Sequence, residues 1–251
     1  MTTLTSKDNP KVKRWAKLTR DARFRQEERR ALIEGPHLLQ ALQASGAKAV
    51  AILVTEKALQ RKEIADLAGK SPLVISESVF RSIVEAENPP GIAAEIAIPE
   101  PKASTGDVVF LEGVQDPSNV GAIIRSAAAF GLGEVVLDQA CADAWSPRAL
   151  RAGMGGHFNL SLRQVVRLEF AGFDGTLLCT VVRGGKPLRE AKLQGRLGWI
   201  FGGEGRGVSP EAEKQAKLKV TIPIASGTES LNVAATAAIC FYAASTPAAG
   251  S

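Results

Sequence analysis

Five short apolar runs constrain the second half of this chain more than any other feature: DVVFLEG (107–113), EVVLD (134–138), GTLLCTVV (175–182), GWIFGG (198–203) and LKVTIPI (218–224). Helix-period patterns near 119–130, 164–171, 209–216 and 231–244 alternate with them. LKVTIPI alone alternates, with Lys219 and Thr221 between apolar residues. Strongly apolar runs of this length belong to strands covered on both faces. Strands of that kind, spaced by helices, pack as a mostly parallel sheet with helices on both sides.

The first third reads as a smaller α/β domain. A basic helix near 9–28 leads to a short strand, ALIEG (31–35), and a helix from Pro36 to about Ala44. Proline suits that first helical position, where its missing N–H has no partner to lose. AKAVAILVT (47–55) reads as a buried strand. A helix near 56–68, a strand PLVIS (72–76), a helix from Glu77 or Ser78, and the turn-plus-strand NPPGIAAEIAI (88–98) follow. Two prolines, a glycine and small polar residues mark 99–106 as a linker. The expected division is therefore 1–98, a linker over 99–106, and a larger domain over 107–251 whose last residues, TPAAGS (246–251), fray.

Charge is concentrated at one end. Residues 1–35 hold ten Lys/Arg against five Asp/Glu, a surplus equal to the net +5 of the whole chain. Such a segment is the footprint of a polyanion binder, with a solvated helix face as the plain alternative. Its large apolar residues, Trp15, Leu18 and Phe24, are too few for a helix lying in a membrane surface. No run reaches the roughly 18–20 apolar residues of a membrane span, and MTTLTSKDNPKVKRW lacks the apolar core of a secretion signal. Cys141, Cys179 and Cys240 are odd in number, scattered and without metal-type spacing. Reduced core thiols in a cytosolic protein are expected.

Three loops at strand ends carry residues that a bare fold does not require, and ligands of open α/β sheets settle beyond such ends. In VQDPSNVGAIIRSAAAFG (114–131), Ser118 or Asn119 can cap the following helix, and Gly121 permits close approach. Arg125 sits among Ile124 and four small residues on a helix expected to pack tightly. A buried guanidinium needs a carboxylate or a phosphate. FGGEGRGVSP (201–210) is glycine-rich but matches neither the dinucleotide nor the P-loop fingerprint, and Glu204 in its middle would repel phosphate. In IPIASGTESLNVAATAA (222–238), Ser230 is the expected helix cap, with Glu229 near the positive end of the helix dipole.

NVGAIIRSAAAFG, GGEGRG and IPIASGTESLNVAATAA resemble, in order and spacing, the three motifs of the SpoU/TrmH family of RNA ribose 2′-O-methyltransferases. The likeness spans about 107–245. The basic region over about 24–97 is similar to that family's substrate-binding domain, itself like a ribosomal-protein RNA-binding fold. The resemblance implies a trefoil-knotted, SPOUT-type α/β domain, a rare exception to unknotted topology, and a homodimer formed through it. It implies S-adenosylmethionine as cofactor, held at Val181, Gly202, Gly203, Ile222, Ile224 and Leu231. It assigns the reaction to Asn119, Arg125, Glu204, Ser230 and Asn232. Arg125 would meet the ribose-phosphate and assist hydroxyl deprotonation; Glu204 would hold Arg125 or Asn119; Ser230 and Asn232 would position the ribose. Lys11, Lys13, Arg14, Lys17 and Arg25 become the candidate RNA contacts. The chain departs from the family in SPRALRAGMGGHFNL (146–160), where Gly153 stands at a frequent serine. His37 and His157 match no catalytic position.

The resulting expectation is a methyltransferase acting on ribosomal RNA, with the large subunit favoured. A tRNA 2′-O-methyltransferase and a non-catalytic RNA-binding module on the same fold are the alternatives. A nucleotide-dependent oxidoreductase has only Asp138, at the end of EVVLD, as a ribose binder.

Overall fold

The computed structural model describes residues 3–245; the expected fraying over 246–251 lies outside them. Two compact units are present. One comprises the chain up to Pro99 together with Asp143–Phe158, the other Glu100–Ala142 and the chain from Asn159 onward.

The first unit runs α1 (Pro10–Arg20), α2 (Ala22–Glu28), β1 (Arg30–Glu34), α3 (Pro36–Ala44), β2 (Ala49–Thr55), α4 (Glu56–Leu59), α5 (Lys62–Ala68), β3 (Leu73–Ile75), α6 (Glu77–Ile83) and β4 (Ile92–Ala97). Its sheet has the order β1-β4-β2-β3, with β4 antiparallel to both neighbours and β3 parallel to β2. Trp15, Leu18, Leu53, Ile75, Phe80 and Ile83 form a core beneath it. The single helix expected over 9–28 is two helices, because the Asp21 carboxylate accepts the Phe24 N–H and starts α2 afresh. Likewise the segment 56–68 divides into α4 and α5.

The chain next forms β5 (Val108–Glu112), α7 (Pro117–Ala129) and β6 (Glu134–Asp138), and then α8 (Pro147–Gly153). It continues through β7 (Ser161–Val165), β8 (Thr176–Thr180), β9 (Lys186–Pro187), β10 (Leu197–Gly202), α9 (Pro210–Gln215), β11 (Leu218–Thr221) and α10 (Val233–Ala244). Seven strands in the order β7-β6-β5-β10-β8-β11-β9 make one sheet. Every neighbouring pair is parallel. The middle strands are apolar and buried, as their sequences require; β10 places Trp199, Ile200 and Phe201 wholly inside.

Two elements differ from expectation. No helix forms over 164–171: Gln164 and Val165 end β7, whose residues pair with β6 from Ser161 opposite Glu134 to Val165 opposite Asp138, and 166–171 is irregular. Arg163 reinforces the pairing with a 2.8 Å ion pair to Glu134. The excursion 143–158 belongs to the first unit, not to the larger domain. Pro147 and Leu150 line a small cavity there with Leu32 and Leu38, and Asp143 pairs with Arg25 at 2.6 Å.

Candidate active site

Helix α7 begins after Asp116, whose carboxylate accepts the Ser118 N–H, and Pro117 occupies the first helical position. The cap is therefore neither Ser118 nor Asn119. The Asn119 side chain is released from helix duty and turns to other loops.

Helix α10 is capped by Asn232 rather than Ser230. Its Oδ1 accepts the N–H groups of Ala234 and Ala235, at 2.9 and 3.2 Å. That commitment orients the amide, because an oxygen serving two backbone donors leaves only the nitrogen for other partners. The Asn232 Nδ2 donates to Asn119 Oδ1 at 2.9 Å. Asn119 must then present its own Nδ2 to Glu204 Oε1, which it does in a short hydrogen bond. A helix end thus dictates two amide orientations in succession, and the three strand-end loops close on one another. Glu204 holds Asn119; among the described residues Arg125 has no hydrogen bond or ion pair.

Beside this chain lies a cleft of about 510 Å³, within the size range of ligand sites. Val181, Gly202, Gly203, Ile222, Ile224 and Leu231 all line it, as do Glu204, Ser230 and Asn232. The apolar side chains come from the ends of β8 and β11 and from the approach to α10. Thr221 ties the first of these walls in place: its hydroxyl donates to Val181 O and accepts the Gly185 N–H, both at 3.0 Å. The glycine loop supplies backbone rather than side chains. A Cβ on Gly202 would stand 1.9 Å from Gly207 O, and one on Gly203 2.1 Å from Gly113 O. Its glycines serve close packing first, since the Gly203 and Gly207 N–H groups are bonded to Glu112 O and Gly203 O.

Several expectations are corrected by the same geometry. Arg125 is exposed on α7, not buried, and has no partner among the described residues. Asp138 serves the fold: its Oδ1 accepts the N–H groups of Gly113, Ala140 and Cys141 and shapes the turn after β6. In the first unit, Lys11, Lys13 and Lys17 are exposed; Lys13 pairs with Asp8, and Lys17 lies 4.2 Å over the Phe24 ring. Arg14 instead bonds Glu28 at 2.8 Å and Glu95 at 2.7 Å. Arg25 is 3% exposed and binds Asp143, Leu18 O and Thr19 O. Arg25 holds the fold and is removed from the candidate RNA surface. Its neighbours in sequence are equally basic, so only burial separates them.

The site also depends on residues that the motifs did not mark. Asp116, Thr221 and Glu112 bond backbone in the loops that carry the motif residues. The aspartate before Pro117 was legible as a cap; the other two act across distances of 36 and 97 residues that no local pattern records.

Residues 107–242 match the SpoU rRNA Methylase family, and residues 9–94 match the MRM3-like substrate binding domain. The 23S rRNA (guanosine(2553)-2′-O)-methyltransferase RlmP of Bacillus subtilis strain 168 is 34% identical over 250 residues, covering 96% of this chain and 98% of that protein. A crystal structure of an RNA 2′-O ribose methyltransferase superposes with a TM-score of 0.82 at 27% identity, over 97% of this chain and 98% of that one. The fold is shared too by the SpoU methyltransferase AviRb of Streptomyces viridochromogenes, solved in complex with AdoMet, with a TM-score of 0.84 at 23% identity over 94% and 97% of the two chains. A seven-stranded parallel sheet, a cleft at its strand ends and the three loops that close it belong together in one lineage: this chain is a member of the SpoU rRNA methylase family.

Proposed function

We propose that the protein transfers a methyl group from S-adenosylmethionine to a ribose 2′-hydroxyl of ribosomal RNA, with the large-subunit rRNA as its substrate. The hydrogen-bonded chain Asn232–Asn119–Glu204 on the rim of the cleft carries this reading. The cleft fits the cofactor by chemistry. Val181, Ile222, Ile224 and Leu231 offer an apolar bed, while Glu204 and Glu229 against the single Arg206 suit a cationic ligand better than a pyrophosphate. When bound, S-adenosylmethionine supplies a sulfonium methyl; its transfer to the ribose oxygen returns the S–C electron pair to sulfur and releases the hydroxyl proton.

The protein's part is placement and proton handling. Asn119, fixed at both ends of its amide, retains one N–H to orient the ribose, and Ser230 on the cleft wall serves the same end. Arg125 anchors a phosphate adjoining the reacting hydroxyl, and a phosphate oxygen takes the proton. A guanidinium has five donors and no acceptor, so it serves as an anchor and not as a base. Lys11, Lys13 and Lys17 draw in the RNA backbone from the first unit. A homodimer through the second unit belongs to this reading, supported by an apolar surface of Phe130, Ile239 and Tyr242, the last 71% exposed. The knotted path and a cytoplasmic location belong to it as well. No helix among the described residues is long and apolar enough to cross a membrane.

Labelled-methyl transfer to unmodified total RNA, analysed for alkali-resistant linkages, tests the proposal. Label at one resistant rRNA position, absent with Arg125→Ala, is the expected result. Label confined to tRNA would move the substrate class. Cofactor binding without transfer to rRNA, tRNA or ribosomal subunits would favour an RNA-binding module, and absence of cofactor binding would overturn the reading.

A further inference from the structure

We infer that Glu112, at the end of β5, is the positioning residue that sets the glycine loop for cofactor binding, an inference that rests on the function proposed above. The loop 203–209 leaves β10 and must present Glu204 to Asn119 while its backbone lines the cleft. Both of its ends are held by one residue. The Glu112 backbone oxygen accepts the Gly203 N–H at 2.8 Å, and Glu112 Oε2 accepts the Ser209 N–H at 2.7 Å. Between them, the Gly207 N–H to Gly203 O bond at 2.9 Å closes the loop on itself. Residues 204–207 are all exposed, and the apex is held where Gly207 seats against Gly202 and where Glu204 accepts from Asn119.

Ser209 is also the cap of α9, its hydroxyl accepting the Ala212 N–H at 3.2 Å. The Glu112 carboxylate therefore fixes the place where the loop enters that helix. Parallel pairing sets Glu112 opposite Gly202, the last residue of β10, next to the start of the loop. The role is one of geometry: it needs an oxygen at that point, and glutamine carries one as well as glutamate does.

The test compares wild type, Glu112→Ala, Glu112→Asp and Glu112→Gln by amide exchange at Ser209, S-adenosylmethionine affinity and methyl transfer. Removing or shortening the acceptor should speed Ser209 exchange at least tenfold and weaken cofactor affinity about tenfold. At saturating cofactor the transfer rate should fall by less than threefold. Glu112→Gln should restore affinity and protection to within twofold of wild type. If Glu112→Ala fails to fold, Glu112→Asp, which keeps the charge and most of the bulk, is read in its place. Wild-type affinity in the variant whose Ser209 amide exchanges fast would overturn the inference, and so would a Glu112→Gln protein as weak as the alanine variant. Failure of the wild type itself to bind cofactor would overturn the proposed function instead, so the two are separable.

Discussion

Asn232 caps α10 with the oxygen of its amide and, through the nitrogen of the same amide, donates to Asn119 Oδ1 at 2.9 Å. One side chain thus performs a structural task and a positioning task, and chemistry can separate them. Asn232→Asp keeps a capping oxygen, and a carboxylate is favourable at a helix N-terminus. It withdraws the N–H that holds Asn119. Stability should stay within about 0.5 kcal/mol of wild type by thermal melting, while methyl transfer falls at least tenfold, about 1.4 kcal/mol on the barrier. An unchanged rate would reduce Asn232 to a helix cap.

Arg125 is exposed on α7 and has no partner among the described residues, so its loss should leave the fold alone. Arg125→Ala should melt as wild type does, within about 0.5 kcal/mol, and bind S-adenosylmethionine with the same affinity. Transfer should fall by roughly a hundredfold, the size expected when one charged donor at a reacting centre is removed. Calorimetric cofactor titration beside the transfer assay distinguishes this outcome from a general loss of structure.

The basic amino-terminal segment contains two kinds of cation, and mutation should sort them. Arg25→Ala strands the Asp143 carboxylate in a buried setting and should destabilise the protein by about 3–5 kcal/mol. Replacing the exposed Lys11, Lys13 and Lys17 with glutamine should hardly change melting. The triple variant should weaken RNA binding and flatten the slope of log affinity against log salt by up to about 2. A salt slope identical to wild type would make this face a solvated surface only.

His157 gives the first unit a pH dependence. Burial pushes its imidazole down to about 4, although one ring nitrogen meets Ala144 O at 2.8 Å. The other, Nδ1, is buried and has no partner among the described residues. In the unfolded chain the ring takes its proton near 6.5. Between these values the unfolded state binds more protons, so stability rises with pH and is lost as pH falls from 6.5 toward 4. The effect is at most roughly 3 kcal/mol. Urea unfolding across that window should show stability rising with pH more steeply in wild type than in His157→Leu.

Much of this molecule was legible locally. Asn9, Asp116, Ser146 and Ser209 each precede a proline at the first helical position, and a cap followed by proline needs only adjacent residues to be recognised. The apolar runs at 107–113, 134–138 and 198–203 became β5, β6 and β10 because burial on both faces demands that composition. SLRQV (161–165) is polar and short, and it became a strand only because β6 offered it an edge. Arg25 and Lys17 are alike in sequence; one is buried against Asp143, 118 residues away, and the other is in solvent.

The amino-acid sequence by itself determined the parallel α/β class, the order of the three motif loops and the identity of the polar residues they carry. Periodicity, caps and glycine spacing act over a few residues and are written in them directly. Only the tertiary structure decided which of those residues meet. Asn119 reaches Glu204 across 85 residues and Asn232 across 113, a convergence set by strand order and by the helix end that orients Asn232. The same packing exposed Arg125 and buried Arg25. A guanidinium's fate depends on whether a carboxylate from a distant segment is folded against it, and no local pattern contains that partner.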